Sequence, residues 1–194
     1  MGIPRGIRLV VKGGRRRAAV TVAALALTAG SAAAASPASA DTSSYQGLEV
    51  LSSSYSLDVG GASTADDAWL DVWYNNGNAN QEFTYPQSDG EVAQIENQNS
   101  QMCITTDGVA GDAVYQLPCD NDVLQQWEAE TSTVWWLPGS LLVTFQNPTT
   151  GLVLEVYNDS YSPGATVDAW YANDGLNQYW IIPGCSNPTP IVCE

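Results

Sequence analysis

From Leu48 onward, short apolar or alternating runs are separated by turn residues every 10–15 positions or so. Gly60-Gly61, Asn75-Asn76-Gly77, Asp89-Gly90, Asp107-Gly108, Pro138-Gly139, Pro148, Pro163-Gly164 and Asp174-Gly175 supply the punctuation. The runs between them, among them Leu48–Ser52, Ala68–Tyr74, Val134–Leu137, Leu141–Phe145, Val153–Tyr157 and Val167–Tyr171, predict strands. A helical period is nearly absent beyond Asp41. Regular short strands of this kind form a barrel or a sandwich.

The pattern also repeats. Aligning Leu57-Asp58-Val59 with Leu154-Glu155-Val156 brings Asp71 onto Asp168, Trp73 onto Trp170, Asn80-Gln81 onto Asn177-Gln178, and Phe83 onto Trp180. A third, eroded copy runs from Cys103-Ile104-Thr105 to Gln125-Gln126-Trp127. A period of about 45–50 residues, met three times, predicts a closed pseudo-threefold architecture. The expected fold is all-β, a β-trefoil of twelve short strands, with repeats at about 48–85, 92–130 and 134–182. A large ring recurring once per repeat fills the centre of such a barrel, so Phe83, Trp127 and Trp180 are expected in the core.

Composition removes the first stretch from this account. Residues 1–17 hold Arg5, Arg8, Lys12 and Arg15-Arg16-Arg17, an apolar core follows from Ala18 to Leu27, and Ala38-Ser39-Ala40 closes the segment. That is the layout of an export signal with cleavage before Asp41. Its apolar core is shorter than the ~20 residues of a membrane span. Residues 41–194 are then expected to be a single secreted domain.

Loss of that segment takes the formal charge from −15 to −21, because all six cations lie in it and all 21 acidic residues lie beyond it. No lysine, arginine or histidine remains. Such a surface repels phosphate backbones and anionic lipid, which excludes nucleic acid and membrane insertion. It also leaves only carboxylates, hydroxyls and amides for chemistry. A soluble monomer is expected.

Four cysteines in an exported chain form two disulfides in one of three pairings. The local pairing, Cys103 with Cys119 and Cys185 with Cys193, is favoured. The first bond stabilises by about 3 kcal/mol on the chain-entropy estimate, and the second closes a tail over residues 184–194. Neither a C-x-x-C pair nor a histidine is present, so no zinc site, other metal or cofactor is expected.

The [LIV]-[DE]-V element, the D-x-W about fifteen residues on, and the closing N-Q-x-[FW], complete in two copies, resemble the ricin B-type β-trefoil lectins, also known as family 13 carbohydrate-binding modules. The likeness covers nearly the whole chain beyond residue 40. It implies a non-catalytic carbohydrate-binding protein with one sugar site on Asp58, Asp71, Trp73, Asn80 and Gln81. A second would lie on Glu155, Asp168, Trp170, Asn177 and Gln178. An indole covers the apolar side of a pyranose, and carboxylates and amides take its hydroxyls. Galactose- or xylan-type glycans are what the resemblance implies as partners.

Two departures stand out. The family usually carries glutamine where this chain has Asp71 and Asp168, so each pocket holds two carboxylates and one of each pair should have a raised pKa. Glu155 also replaces the usual aspartate, which should displace its acceptor by about one bond length. The middle copy has Thr105, Leu117 and Leu124 at the polar and aromatic positions and is expected to be structural. Two other functions fit the composition: a protein-binding trefoil such as a protease inhibitor, and a small glycosidase using Asp58/Asp71 or Glu155/Asp168.

Overall fold

The computed structural model describes residues 45–132 and 141–183, with the backbone of 185–188 and 191–193. These belong to the second of the two units into which the chain divides, Met1–Ala40 and Asp41–Glu194. The expected export signal, the strand over Val134–Leu137 and the side-chain bond between Cys185 and Cys193 fall outside the described residues.

In the first repeat a broken opening strand, β1 (Gln46–Gly47) and β2 (Glu49–Val50), leads into the hairpin β3 (Ser56–Val59) and β4 (Ala68–Trp73), then β5 (Glu82–Phe83). The second repeat runs β6 (Val92–Gln94), β7 (Met102–Thr105), β8 (Tyr115–Pro118) and β9 (Gln126–Ser132). The third runs β10 (Leu141–Gln146), β11 (Leu152–Val156), β12 (Ala165–Tyr171) and β13 (Trp180–Ile182). Counting the broken strand once gives the twelve strands of a β-trefoil. A short hairpin follows, β14 (Cys185–Pro188) and β15 (Ile191–Cys193), in whose ladder Cys185 and Cys193 are register partners. No α-helix occurs among the described residues.

The first and last strands of the repeats close a barrel. β13 pairs with β2 and β10, β10 with β9, and β9 with β6. The β1–β5 ladder and a bridge between Phe83 and Asn97 complete the ring. The three hairpins cap one end: β4 pairs with both β8 and β12, and Ala113 bridges to Asp168. Closure of this kind leaves no barrel edge open to another chain.

Equivalent residues fill the axis. Leu57, Ile104 and Leu154 are buried together with Leu70, Val114 and Val167, and beneath them lie Phe83, Trp127 and Trp180. Each large side chain removed from water contributes about 2–3 kcal/mol. The two indoles also tie down main chain: Trp127 Nε1 donates to the Ile104 carbonyl at 3.0 Å, and Trp180 Nε1 to the Leu154 carbonyl at 3.1 Å. The Cys103–Cys119 disulfide joins β7 to the residue after β8, across a Cα separation of 5.0 Å.

Strand alternation turns this core into a site. Leu57 and Val59 face inward, so Asp58 between them faces the other side of the hairpin. On β4, Leu70 and Val72 face inward, which leaves Asp71 and Trp73 on that same outer face.

Candidate functional site

The hairpin register sets acid against acid. Asp58 is paired with Asp71 across β3 and β4, and Glu155 with Asp168 across β11 and β12. In the middle repeat the same rung pairs Thr105 with Tyr115, and Leu117 takes the position of Trp73. Side chains on one rung lie about 4.5–5.5 Å apart at Cβ, and like charges there repel. The two polar copies carry that cost twice.

Behind each rung sits a glutamine from the Q-x-[FW] triplet. Gln81 Nε2 donates to Asp58 Oδ2 at 2.7 Å and to the Tyr74 carbonyl at 3.0 Å, while its Oε1 accepts from the Asn76 N–H at 2.9 Å. Gln178 does the same with Glu155, Tyr171 and Asn173. Gln125 does so with Thr105, Pro118 and Asp120. The glutamines are buried in all three copies. They hold the strand-end loop and the acid in place, and their amides are spent within the protein. Gln81 and Gln178 therefore position the acids from behind rather than face the pockets.

The asparagines lie nearer the surface of the site. Asn80 donates to Asp58 Oδ2 at 2.9 Å and, at 3.4 Å, to the Val59 carbonyl. Asn177 donates to the Val156 carbonyl at 2.9 Å. Its amide also acts on Glu155, whose raised carboxyl pKa it helps to lower.

Trp73 and Trp170 stand at the open side, 43% and 38% exposed. Each ring is backed edge-on by the following tyrosine, at centroid distances of 5.9 Å (Trp73–Tyr74) and 5.7 Å (Trp170–Tyr171). Each also rests on a glycine from the neighbouring repeat. Gly164 donates its N–H to the Val72 carbonyl at 2.7 Å, and a Cβ there would lie 3.4 Å from Trp73. Gly111 donates to the Ala169 carbonyl at 2.9 Å, and a Cβ there would come within 2.9 Å of Trp170. Both glycines have positive φ, at 83° and 90°. The equivalent residue of the first repeat, Asp67, bonds to the Gln116 carbonyl at 3.0 Å beside the middle copy, where the tryptophan is replaced by Leu117. Glycine thus occurs where a tryptophan needs the space, and a side chain where none does.

The result is two open pockets. One, of about 350 Å³, is lined by Asp58, Asp71, Trp73 and Asn80, with Gly61, Ala62, Asn76 and Asn78 around them. The other, of about 510 Å³, is lined by Glu155, Asp168, Trp170 and Asn177, with Tyr157, Asn158 and Asp159 on its rim. The rim loops share a left-handed turn, at Gly61–Ala62 and at Asn158–Asp159. Their side chains differ completely, so the third-repeat pocket gains a ring, an amide and a third carboxylate. No group of three or more side chains suited to a metal ion occurs among the described residues.

Sequence reasoning missed these rim residues and also Asn97 and Asn147. Both are buried, and each ties a turn of its own repeat to the 3-10 turn of the preceding one. Asn97 Nδ2 bonds to the Asn80 carbonyl at 3.1 Å, while its Oδ1 accepts from the N–H groups of Asn99 and Ser100. Asn147 bonds likewise to Val123 and Gln126 on one side and to Thr149 and Thr150 on the other. The shared signal was an asparagine opening a polar turn five residues before a strand.

Burial first, and then the facing Asp58, raise the Asp71 carboxyl from 3.8 to about 6. Burial and the facing Glu155 raise Asp168 from 3.8 to about 7. Asp58 and Glu155 are also raised by burial, offset by the amides of Gln81 with Asn80, and of Gln178 with Asn177. As pH falls through about 6 and about 7, Asp71 and Asp168 take up a proton beside acids whose charge the amides support.

A raised carboxyl pKa means that the folded state binds the proton more tightly than the unfolded chain. Stability is therefore highest below the unfolded value and falls as pH rises through about 6 for Asp71 and about 7 for Asp168. Asp168→Asn, which removes the second charge at equal size, should lose less of its thermal midpoint than the parent between about pH 5 and about pH 8. Equal losses in both proteins would contradict the opposed-charge geometry.

A family model for the ricin-type beta-trefoil lectin domain matches residues 47–180. Among solved structures, the designed threefold-symmetric protein ThreeFoil superposes with a TM-score of 0.63 at 26% identity, over 71% of this chain and 96% of that one. The C-half of an earthworm R-type lectin, solved in complex with GalNAc, superposes with a TM-score of 0.55 at 20% identity, over 71% and 96%. An exo-β-1,3-galactanase from Clostridium thermocellum matches with a TM-score of 0.63 at 22% identity, over 74% of this chain but 30% of its own. No curated protein matches the sequence.

Proposed function

The chain belongs to the ricin-type β-trefoil lectin family, and from that premise we propose that it is a secreted, non-catalytic carbohydrate-binding protein with two sugar sites. One is the pocket of Asp58, Asp71, Trp73 and Asn80, the other that of Glu155, Asp168, Trp170 and Asn177. The observation that carries this reading is the outward-facing indole beside an acid–amide pair, built twice by the same register and absent from the middle copy. Packing alone does not call for it, since the middle copy folds with Leu117 and Thr105 in those places.

Open pockets of this size bind single sugars weakly. Two on one rigid domain favour a polymeric or clustered glycan, because engagement of the second site becomes intramolecular. Galactose-bearing polymers suit the family, and the lectin solved with GalNAc supports that choice. The basic and apolar stretch at residues 1–27 supports export.

Catalysis is disfavoured by the arrangement of the carboxyls. One acid of each pair is committed to a buried glutamine amide, whereas glycoside cleavage needs both carboxyls to act on the scissile bond. In the galactanase, the part resembling this chain is under a third of that enzyme.

The test is a glycan array with plant and bacterial cell-wall polysaccharides. Binding to at least one polymer, competed by its free oligosaccharide, is the expected result. Folded protein that binds no glycan would refute the proposal and turn attention to protein partners.

A further inference from the structure

Taking the pockets as sugar sites, we propose that the third-repeat pocket, and more weakly the first, selects glycans that carry a protonated amine. De-N-acetylated hexosamines should be preferred to their N-acetylated and plain neutral counterparts.

Three observations converge. Asp168 lines its pocket at 1% exposure, and neither of its carboxyl oxygens has a hydrogen-bond partner among the described residues. Asp71 Oδ1 in the other pocket is likewise without one. A buried carboxyl of this kind needs a proton or a cation beside it. Next, the rung places it against a second acid, whose amide donors approach from behind: the Gln178 amide is committed to Glu155 and to the Tyr171 carbonyl. What faces the cavity is therefore three carboxyls, with the amides of Asn158, Asn173 and Asn177 beside them. An ammonium group, with three N–H donors and a full charge, suits it better than a hydroxyl with one. Finally, the chain beyond residue 17 supplies no cation, because no lysine, arginine or histidine follows it.

The difference between the pockets follows from their rims. Asp159 adds a third carboxylate to the third-repeat site, where the first-repeat site has only Gly61 and Ala62. The titratable groups lining the third-repeat pocket are Glu155, Tyr157, Asp159 and Asp168. A metal ion is a poorer occupant, since no suitable group of three ligands is formed among the described residues.

Charge balance gives the binding step a signature. In the unliganded pocket below about pH 7 Asp168 holds a proton. When the ammonium group enters, that carboxyl O–H ionises, its proton passes to the buffer, and the carboxylate is balanced by the ligand's charge. The amine sugar should release protons on binding, and the acetylated sugar should not.

Isothermal titration at about pH 6, in two buffers of different ionisation enthalpy, reads this directly. The ligands are D-galactosamine and D-glucosamine, each against its N-acetyl form. The amine sugars are expected to bind about tenfold more tightly, the size of one charge-assisted contact, and to release protons. In Asp168→Asn the ratio between amine and acetyl forms should collapse toward one. That variant removes a like-charge contact, so it should fold; proton release by the parent protein tests the same step without it. Acetylated sugars binding as tightly as amines, with no proton release, would overturn the amine preference and leave the lectin reading intact. Failure of every sugar and every array polysaccharide to bind would overturn both.

Discussion

Trp73→Ala combined with Trp170→Ala is expected to abolish glycan binding while leaving the protein folded. Each indole offers an exposed face at the mouth of its pocket. Stacking a pyranose there removes apolar area worth about 1.5–3 kcal/mol per site, or roughly ten- to a hundredfold in affinity. Each single variant should lose its own site and the avidity of the pair, and the double variant should fall below detection. Stability should change little, because both rings are partly exposed and the middle repeat folds with Leu117 in the same place. Array binding measured beside the thermal midpoint separates the two effects. Full binding by the folded double variant would place recognition elsewhere, as in a loop-based inhibitor.

Trp180→Ala is expected to cost about 3–5 kcal/mol, a large share of the 5–15 kcal/mol that holds a domain of this size together. The ring is fully buried on the barrel axis, and its Nε1 holds the Leu154 carbonyl immediately before Glu155. Deletion leaves a cavity where three repeats meet, so no single repeat can close it by shifting. Trp180→Phe should be far milder, about 1 kcal/mol for the lost hydrogen bond, because the first repeat already uses Phe83 at this point. Denaturant unfolding of both variants checks the ranking. A similar loss in each would mean that the hydrogen bond, rather than ring volume, supports the third repeat.

Neither result could be ranked without knowing which aromatic faces inward, and that much was legible in the chain. Phe83, Trp127 and Trp180 recur once per repeat whether or not the polar set survives. Trp73 and Trp170 recur only with an acid and an asparagine. Repetition inside one sequence thus separated the buried rings from the exposed ones before any contact was known. The glutamines follow a different rule: Gln81 and Gln178 accompany the polar set, but Gln125 accompanies the eroded copy too, and all three are buried. Each of them bonds a strand-end loop to the residue at the acid position, in the middle repeat as in the other two.

The chain alone determined the threefold barrel, because strand alternation and a repeated period are properties of linear order. It also determined the absence of lysine, arginine and histidine beyond residue 17, which is a matter of composition. The tertiary structure decided what stands opposite what. Asp58 meets Asp71, and Glu155 meets Asp168, through a hairpin register. Gly164 and Gly111 make room for tryptophans of other repeats. Asp159 reaches a pocket rim through a left-handed turn whose counterpart, Gly61–Ala62, has little side chain to offer. These contacts join residues across hairpins and between repeats, and their energies depend on burial and on the neighbouring charge. Both arise only once the three repeats have closed on one another.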